Sequence, residues 1–195
     1  VDTIPREVPY LFADDTLVEQ WRVRLRGIDG FRIGINWQGR PGGGPFRKRN
    51  IRLDCFRCLA QAPGVSLISL QMGPGRQELS ALSDEMQIVD LGADFDTAKG
   101  RFMDTAAVMK NLDLVITSDT AIPHLAGALG VPVWLALPYV ADWRWLLDRG
   151  DSPWYPTMRL FRQEQIGDWT APIIRLREAL DQAAPQGIGM VKLLF

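Results

Sequence analysis

The stretch LDLVITSDTAIPHLAGALGVPVWLAL, residues 112–137, decides the fold class of this chain. Its two ends are apolar runs of strand length, and the segment between them is rich in alanine and leucine. Pro123 is tolerated only in the first turn of a helix, and Gly130 is a typical helix stop. The pattern predicts a strand over residues 112–118, a helix over 120–129 and a strand over 131–137, which form one β-α-β unit.

The same alternation extends in both directions from this unit. We predict strands over residues 31–37, 65–71, 87–91 and 158–162, and helices over 53–62, 77–82, 104–111, 142–148 and 169–183. Strict alternation predicts an α/β fold: a Rossmann-like, doubly wound parallel sheet of about six strands in the order 3-2-1-4-5-6. Residues 31–183 are assigned to this domain, residues 1–30 to a linker and a bridging helix from a missing N-terminal domain, and residues 184–195 to a tail.

Composition excludes several classes of protein. The chain has 195 residues, of which 47% are hydrophobic, and a net charge of −1, so no strongly basic field attracts nucleic acid or anionic lipid. No apolar stretch is long enough for a membrane span. Cys55 and Cys58 read as two half-buried thiols, which suit a reducing compartment, and we predict a cytoplasmic protein. With one histidine in the chain, no metal site is expected.

Ligands of open α/β sheets bind beyond the carboxyl ends of the strands. The loop after the first predicted strand begins Gln38-Gly39, is rich in glycine and ends in Arg47-Lys48-Arg49. Such a loop suits an anion, although a solvated surface loop explains it equally well. After the fourth strand, the amides of Thr120, Ala121 and Ile122 are expected to be free at a helix N-terminus, with Asp119 as its cap. Free amides and the helix dipole together predict a diphosphate site.

Three further residues lie close to this edge. His124 is one turn into the predicted helix, where it either donates a hydrogen bond to the ligand or is a half-buried histidine bonded to a neighbouring loop. Tyr139 and Arg144 follow the fifth strand and suit stacking and phosphate contact, while Asp142 and Arg144 also suit a simple surface ion pair.

The segment that begins at Asp119 resembles a known family. Residues 119–132, DTAIPHLAGALGVP, resemble the donor-site motif of bacterial heptosyltransferases, glycosyltransferase family 9. Residues 119–163 are more similar to a glycosyltransferase-like module found at the C-terminus of tetratricopeptide-repeat proteins. The resemblance covers about residues 31–183 and implies the C-terminal, donor-binding half of a GT-B glycosyltransferase.

The resemblance also implies site residues. The phosphates would lie between Gln38 and Gly39 on one side and Thr120 and Ala121 on the other. Lys48 or Arg47 would approach the phosphate or the sugar, and Gln71 would lie near the ribose. Phe102 and Met103 would border the base. Related modules usually carry Lys where this chain has Met72, and the lost cation would weaken donor binding or mean a changed ligand.

These expectations combine into a function. The chain would bind a UDP-, GDP- or ADP-linked sugar and, with the missing domain, transfer the glycosyl group without a metal or other cofactor. A glycan, a lipid-linked sugar or a protein would be the acceptor, and the catalytic base would lie in the missing domain, so the fragment alone is expected to be inactive. Two alternatives stay open: a non-catalytic nucleotide-sugar-binding or interaction module, and an epimerase-like GT-B enzyme.

Overall fold

A computed structural model of the chain describes residues 3–39, 48–82, 85–97 and 99–183. Six strands form one sheet in the order β3-β2-β1-β4-β5-β6, and every neighbouring pair is parallel. The predicted doubly wound order is therefore confirmed. The order reverses between β1 and β4, which is the point where ligands bind in sheets of this kind.

The strands are β1 Phe31–Asn36, β2 Val65–Ser69, β3 Ile88–Val89, β4 Leu114–Ser118, β5 Val133–Leu137 and β6 Met158–Arg162. The helices are α1 Asp15–Arg24, α2 Arg57–Ala60, α3 Gln77–Ala81, α4 Met103–Met109, α5 Ile122–Ala128 and α6 Thr170–Ala183. Short 3-10 turns precede α2 and α3, over Leu53–Phe56 and Gly73–Arg76.

Both faces of the sheet are covered by helices. Helices α1, α4 and α5 pack on one face in a core that includes Trp21 and Val115, while α2 and α6 pack on the other in a core that includes Trp134. Strands β4 and β5 are buried along their whole length. Because neither face meets water, these strands have continuous apolar sequences instead of alternating ones.

Helix α1 is part of this domain. Asp14 caps it by accepting a hydrogen bond from the Leu17 amide at 2.9 Å. Trp21 is buried and donates its indole N–H to Asp104 Oδ1 on α4 at 2.8 Å. The helix therefore docks on the sheet domain through apolar packing and one buried hydrogen bond. Its predicted bridging role toward a further domain stays a prediction.

Two local predictions differ from the structure. The predicted helix over 142–148 is a single 3-10 turn, Trp143–Trp145, because Leu146 takes a left-handed conformation with φ of 50°. The predicted helix over 53–62 begins as a 3-10 turn and continues as the four-residue α2.

This segment carries Cys55 and Cys58, which are free, half-buried thiols as predicted. Burial raises the pKa of both thiols, which keeps them protonated and poorly reactive.

Candidate functional site

A cavity of about 680 Å³ opens where β1, β2 and β4 end. The three strands are neighbours in the sheet, so the loops that follow them meet at one edge. The loop that precedes α4 completes the rim. The lining residues are Asn36, Gln38, Gly39, Arg49, Leu70, Met72, Gly73, Asp96, Arg101, Phe102, Thr105, Thr120, Ala121 and Ile122.

Gln71 holds two of these loops together. Its Oε1 accepts hydrogen bonds from Asn36 Nδ2 at 2.9 Å and from the backbone amides of Trp37 at 3.1 Å and Gln38 at 2.9 Å. Its Nε2 donates to the carbonyl oxygens of Gln38 at 3.0 Å and Met72 at 2.8 Å. The side chain is buried and does not line the cavity. The structure thus gives Gln71 a bracing position between the two loops, and the ribose contact that the resemblance implies stays a prediction.

The turn after β4 presents two amides to the cavity. Thr120 Oγ1 donates to Asn36 Oδ1 at 3.0 Å and accepts the Ile122 amide at 3.2 Å. Ile122 therefore has no free N–H, contrary to the prediction. Among the described residues, the amides of Thr120 and Ala121 donate to no protein acceptor, and both residues line the cavity.

Asp119 is not a helix cap, contrary to the prediction. Helix α5 begins only at Ile122, with Ala121 at the N-cap and no side-chain cap. Asp119 is buried, and burial raises the pKa of its carboxyl. The indole N–H of Trp145 approaches this carboxylate without completing a hydrogen bond of normal geometry within the described residues. Asp119 therefore lies under the turn and does not line the cavity.

Among the described residues, two cations line the cavity, Arg49 and Arg101. A methyl group built on Gly39 would lie 3.4 Å from both Arg49 Nη2 and Thr120 Cγ2, so the loop after β1 approaches the turn after β4 closely. The Gly39 amide itself is occupied, because it donates to Asn50 Oδ1 at 3.1 Å. Gln38, also predicted, lines the same cavity, and its side-chain amide donates to Glu78.

In its described part, the basic run of the first loop contributes Arg49 to the cavity, a residue that was not among those predicted. Lys48 lies at a separate pocket of about 740 Å³ beside Cys55 and Cys58, and it does not line the central cavity. Arg49, the next residue, does line it. Arg47 lies outside the described residues. Consecutive residues of this turn thus line different pockets, and the sequence alone did not identify which of them faces the ligand edge.

The rim before α4 is held in an unusual conformation. Phe102 lines the cavity with φ of 67°, a left-handed conformation that is rare for an aromatic residue. Met103 is partly exposed but is not among the cavity residues. Such strained positions cluster at functional sites, where the surrounding structure enforces them.

Hydrogen bonds on either side of Phe102 tie the preceding loop to the start of α4. Asp96 accepts hydrogen bonds from the amide of Thr105, at 3.0 Å, and from its hydroxyl. Asp104 Oδ2 accepts the Asp96 amide at 3.1 Å. Asp96 and Thr105 both line the cavity. Both carboxylates are therefore committed to fixing this rim.

His124 lies beside the central cavity, at a second pocket. Its ring stacks on the buried Trp145, with centroids 5.1 Å apart, and its Nδ1 is 3.1 Å from the hydroxyl of Tyr155. Burial lowers the pKa of His124, and the charge of Arg144 lowers it further, so the imidazole is neutral at neutral pH. His124 is thus half-buried and bonded to a neighbouring loop, as one of the two alternatives predicted, and it also lines a pocket; its hydrogen bond to a ligand stays a prediction.

Arg144 lines the second pocket with His124. Its Nη1 also lies 3.1 Å from Asp142 Oδ2, which is the surface ion pair that one of the alternatives predicted. Tyr139 is partly exposed at the end of β5, and its amide donates to Gln163 Oε1 at 3.1 Å. It lines neither the central cavity nor the second pocket. The structure therefore separates the predicted residues into a central group and a group around His124.

Gly127 fixes the position of the tyrosine that contacts His124. A methyl group at Gly127 would lie 2.5 Å from Cγ and Cδ1 of Tyr155, so the aromatic ring would have to move. We expect Gly127→Ala to destabilise the protein by about 1–3 kcal/mol, despite the higher helix propensity of alanine. Urea unfolding followed by circular dichroism measures the change.

Gly150→Ala is the matched control for that variant. Nothing lies within 4 Å of the position that its methyl group would take. The control is expected to unfold within about 0.5 kcal/mol of the unaltered chain, as surface substitutions usually do. Equal stability of the Gly127 variant and this control would show that the Tyr155 ring is not held against α5.

The described residues show neither a cluster of metal-binding side chains nor a membrane-spanning helix. Among residues 3–39, 48–82, 85–97 and 99–183, no three His, Cys, Asp or Glu side chains come close enough together to hold a metal ion. In the same part of the chain, every helix is too short or too polar to cross a bilayer.

The sequence has a relative among well-described proteins. The chain is 28% identical over 187 residues to Protein FlbA of Caulobacter vibrioides, an alignment that covers 92% of this chain and 30% of FlbA. The chain thus spans less than a third of the length of that relative. No protein-family model matches the chain.

Solved structures similar to this chain are glycosyltransferases. ADP-heptose lipopolysaccharide heptosyltransferase II of E. coli superposes with a TM-score of 0.64 at 15% identity, covering 91% of this chain and 54% of that chain. E. coli heptosyltransferase WaaC with ADP-2-deoxy-2-fluoro heptose gives 0.59 at 13% identity, covering 91% and 51%. The glycosyl transferase family 9 protein of Veillonella parvula gives 0.57 at 13% identity, covering 95% and 54%. The chain spans about half of these proteins, and at such identities the likeness confirms the Rossmann-like fold of GT-B glycosyltransferases.

Proposed function

We propose that this chain binds a nucleoside diphosphate sugar in the central cavity and that, together with a further domain, it transfers the glycosyl group to an acceptor without a metal ion. The observation that carries the proposal is the pairing of two cations, Arg49 and Arg101, with the two unbonded amides of Thr120 and Ala121 around one cavity. Likeness of fold to heptosyltransferases supports it.

The geometry suits a departing diphosphate. When the glycosidic bond to the donor breaks, negative charge grows on the phosphate oxygens. Fixed amide donors and guanidinium groups stabilise that charge without reorganising, and they do so most strongly away from bulk water. Gln71, Asn36 and Thr120 hold the two loops in place through buried hydrogen bonds, so the donors are in position before the ligand arrives.

A nucleobase would lie against the rim before α4. Phe102 offers an aromatic face there, and Asp96, Asp104 and Thr105 tie the preceding loop to the start of α4. Stacking on an aromatic face tolerates any base, so this rim does not by itself choose among UDP, GDP and ADP.

The acceptor would be a glycan, a lipid-linked sugar or a protein. Asp96 is the one carboxylate on the lining of the central cavity among the described residues, and Thr105 already occupies it. The catalytic base is therefore assigned to a further domain, and this chain alone should not turn over donor. A cytoplasmic location and an N-terminal repeat domain belong to the same proposal.

One observation favours a second candidate, a nucleotide-sugar-binding module without transferase activity. Met72 lines the cavity at the position where related modules usually carry lysine, and it is 38% exposed. A thioether cannot neutralise a phosphate. If this lysine supplies an essential charge in the relatives, the present chain would bind donor and fail to transfer.

Titration calorimetry with ADP, UDP and GDP, each in EDTA, tests the binding step. Ala121→Pro removes one of the two amides, and the φ of −73° at Ala121 already suits proline. We expect its affinity for the best of the three nucleotides to fall about tenfold, the loss of one charge-assisted hydrogen bond.

Ala121→Ser is the matched control, because it keeps the amide and adds only a hydroxyl. It should bind within about threefold of the unaltered chain. Failure of all three nucleotides to bind, or equal binding by the proline and serine variants, would refute the amide site. Release of nucleoside diphosphate by a longer protein that contains this chain and its further domain separates transferase from binder.

A further inference from the structure

The second pocket, which has a volume of about 950 Å³, lies next to the central cavity and is walled by aromatic rings. We call it the aromatic pocket; its aromatic lining is Tyr10, His124, Trp143, Trp154 and Tyr155. A shallow pocket of about 250 Å³ joins the two sites. It shares Phe102 and Ala121 with the central cavity and Tyr10, His124 and Tyr155 with the aromatic pocket, so the three form one continuous groove.

Trp143 is exposed and at the same time fixed. Its indole is 72% exposed, although the residue lies in a 3-10 turn that Asp142 caps by accepting the Arg144 amide at 3.1 Å. The Arg144 guanidinium lies 5.7 Å from the Trp143 ring centroid and is held by Asp142. Together with the neighbouring Trp154, Trp143 forms a contiguous apolar surface rimmed by polar groups, which is typical of ligand-binding grooves.

The other walls are fixed as well. Trp154 donates its indole N–H to the Arg144 carbonyl oxygen at 2.8 Å and meets Trp143 edge to face, with an interplanar angle of 86°. The hydroxyl of Tyr10 lies 3.4 Å from that of Tyr155, which in turn contacts His124. The pocket thus combines aromatic faces with hydroxyl, imidazole and guanidinium groups, and Glu7 adds a carboxylate at its rim.

We propose that the aromatic pocket binds a saccharide ring, with the ring stacked on Trp143. A pyranose has one face of C–H groups and an edge of hydroxyls. Its C–H face suits the electron-rich face of an indole, and its hydroxyls suit Arg144, Glu7 and Tyr155. The perpendicular rings of Trp143 and Trp154 do not form the parallel slot that a flat base would fill, and the pocket volume has room for more than one monosaccharide.

This proposal rests on the proposed function in one respect only, which is whether the saccharide ring on Trp143 comes from the nucleotide-sugar donor or from the acceptor. The aromatic pocket and the central cavity share no lining residue. A nucleotide sugar seated in the central cavity reaches the aromatic pocket with its glycosyl end, or else the ring belongs to a saccharide acceptor. Both sources present the same chemistry to Trp143.

Saturation-transfer NMR with methyl glycosides of glucose, galactose, mannose and N-acetylglucosamine tests the pocket directly. We expect saturation of the C–H protons of at least one glycoside by the unaltered chain, at least a tenfold weaker affinity in Trp143→Ala, and partial recovery in Trp143→Phe. Phe12→Ala is the matched control, because Phe12 is an 82% exposed aromatic residue that does not line the pocket; it should bind as the unaltered chain does.

Calorimetry with UDP, ADP, UDP-glucose and ADP-glucose identifies the source. If the ring belongs to the donor, Trp143→Ala weakens the nucleotide sugars and leaves UDP and ADP unchanged. If it belongs to the acceptor, the variant weakens only the free glycosides. Glycoside binding that depends on Trp143, with no nucleotide bound at all, would sustain the aromatic pocket and refute the proposed function. The proposal is overturned if no saccharide, free or nucleotide-linked, loses affinity when Trp143 is removed.

Discussion

Replacing Gln71 by alanine is expected to lower the free energy of unfolding by about 3–5 kcal/mol. The side chain satisfies three donors and two acceptors, and its removal leaves Asn36 Nδ2, two backbone amides and two carbonyl oxygens without their partner. Each buried polar group left unsatisfied costs about 1–3 kcal/mol, and water entering from the cavity recovers part of the sum. Urea unfolding followed by tryptophan fluorescence measures the change.

Gln61→Ala provides the comparison for Gln71→Ala. Gln61 is exposed at the end of α2, and only its backbone amide is bonded within the helix. Its replacement should change the free energy of unfolding by less than about 0.5 kcal/mol. A loss below about 1 kcal/mol for Gln71→Ala would mean that the loops after β1 and β2 are held by other contacts.

Arg49→Met is expected to weaken nucleoside diphosphate binding about 10- to 150-fold. Methionine keeps much of the apolar stem and removes the guanidinium, and a hydrogen bond to a charged group contributes about 1.5–3 kcal/mol. Calorimetry at two salt concentrations measures the loss, and the affinity of the variant should depend less on salt.

Arg52→Met is the control variant that isolates the local effect of the Arg49 guanidinium. Arg52 is three positions along the chain, its side chain is 80% exposed, and it pairs with Asp54, away from the central cavity. The two variants change the net charge equally, so long-range attraction of an anion is altered alike in both. Equal loss of affinity in the two would show that Arg49 acts through the general field and makes no contact with the ligand.

The sheet was predictable because its signals are local. Continuous apolar runs such as residues 112–118 and 131–137, with helical segments between them, specify parallel strands without any knowledge of distant contacts. The ligand edge follows from the same pattern, since the carboxyl ends of parallel strands lie together. Thr120 and Ala121 were correctly placed at this edge for that reason.

The direction of individual side chains was not predictable from local signals. Gln71 finds all its partners except the Met72 carbonyl 33 to 35 residues away, on β1 and the loop that follows it, and no sequence pattern shows that its amide is fully occupied. Asp119 looks like a helix cap in sequence, yet the Thr120 hydroxyl takes the Ile122 amide and the carboxylate is buried.

The hydrogen bond between Trp21 and Asp104 connects helix α1 with ligand binding. Asp104 also holds the Asp96 amide, and Asp96 holds Thr105 on the rim of the central cavity. Any force that pulls α1 away from α4 therefore loosens that rim, and a molecule that tightens the rim makes α1 harder to detach. Because such coupling is reciprocal, occupancy of the cavity and the attachment of α1 report on each other, and resistance of α1 to proteolysis should rise with nucleotide concentration.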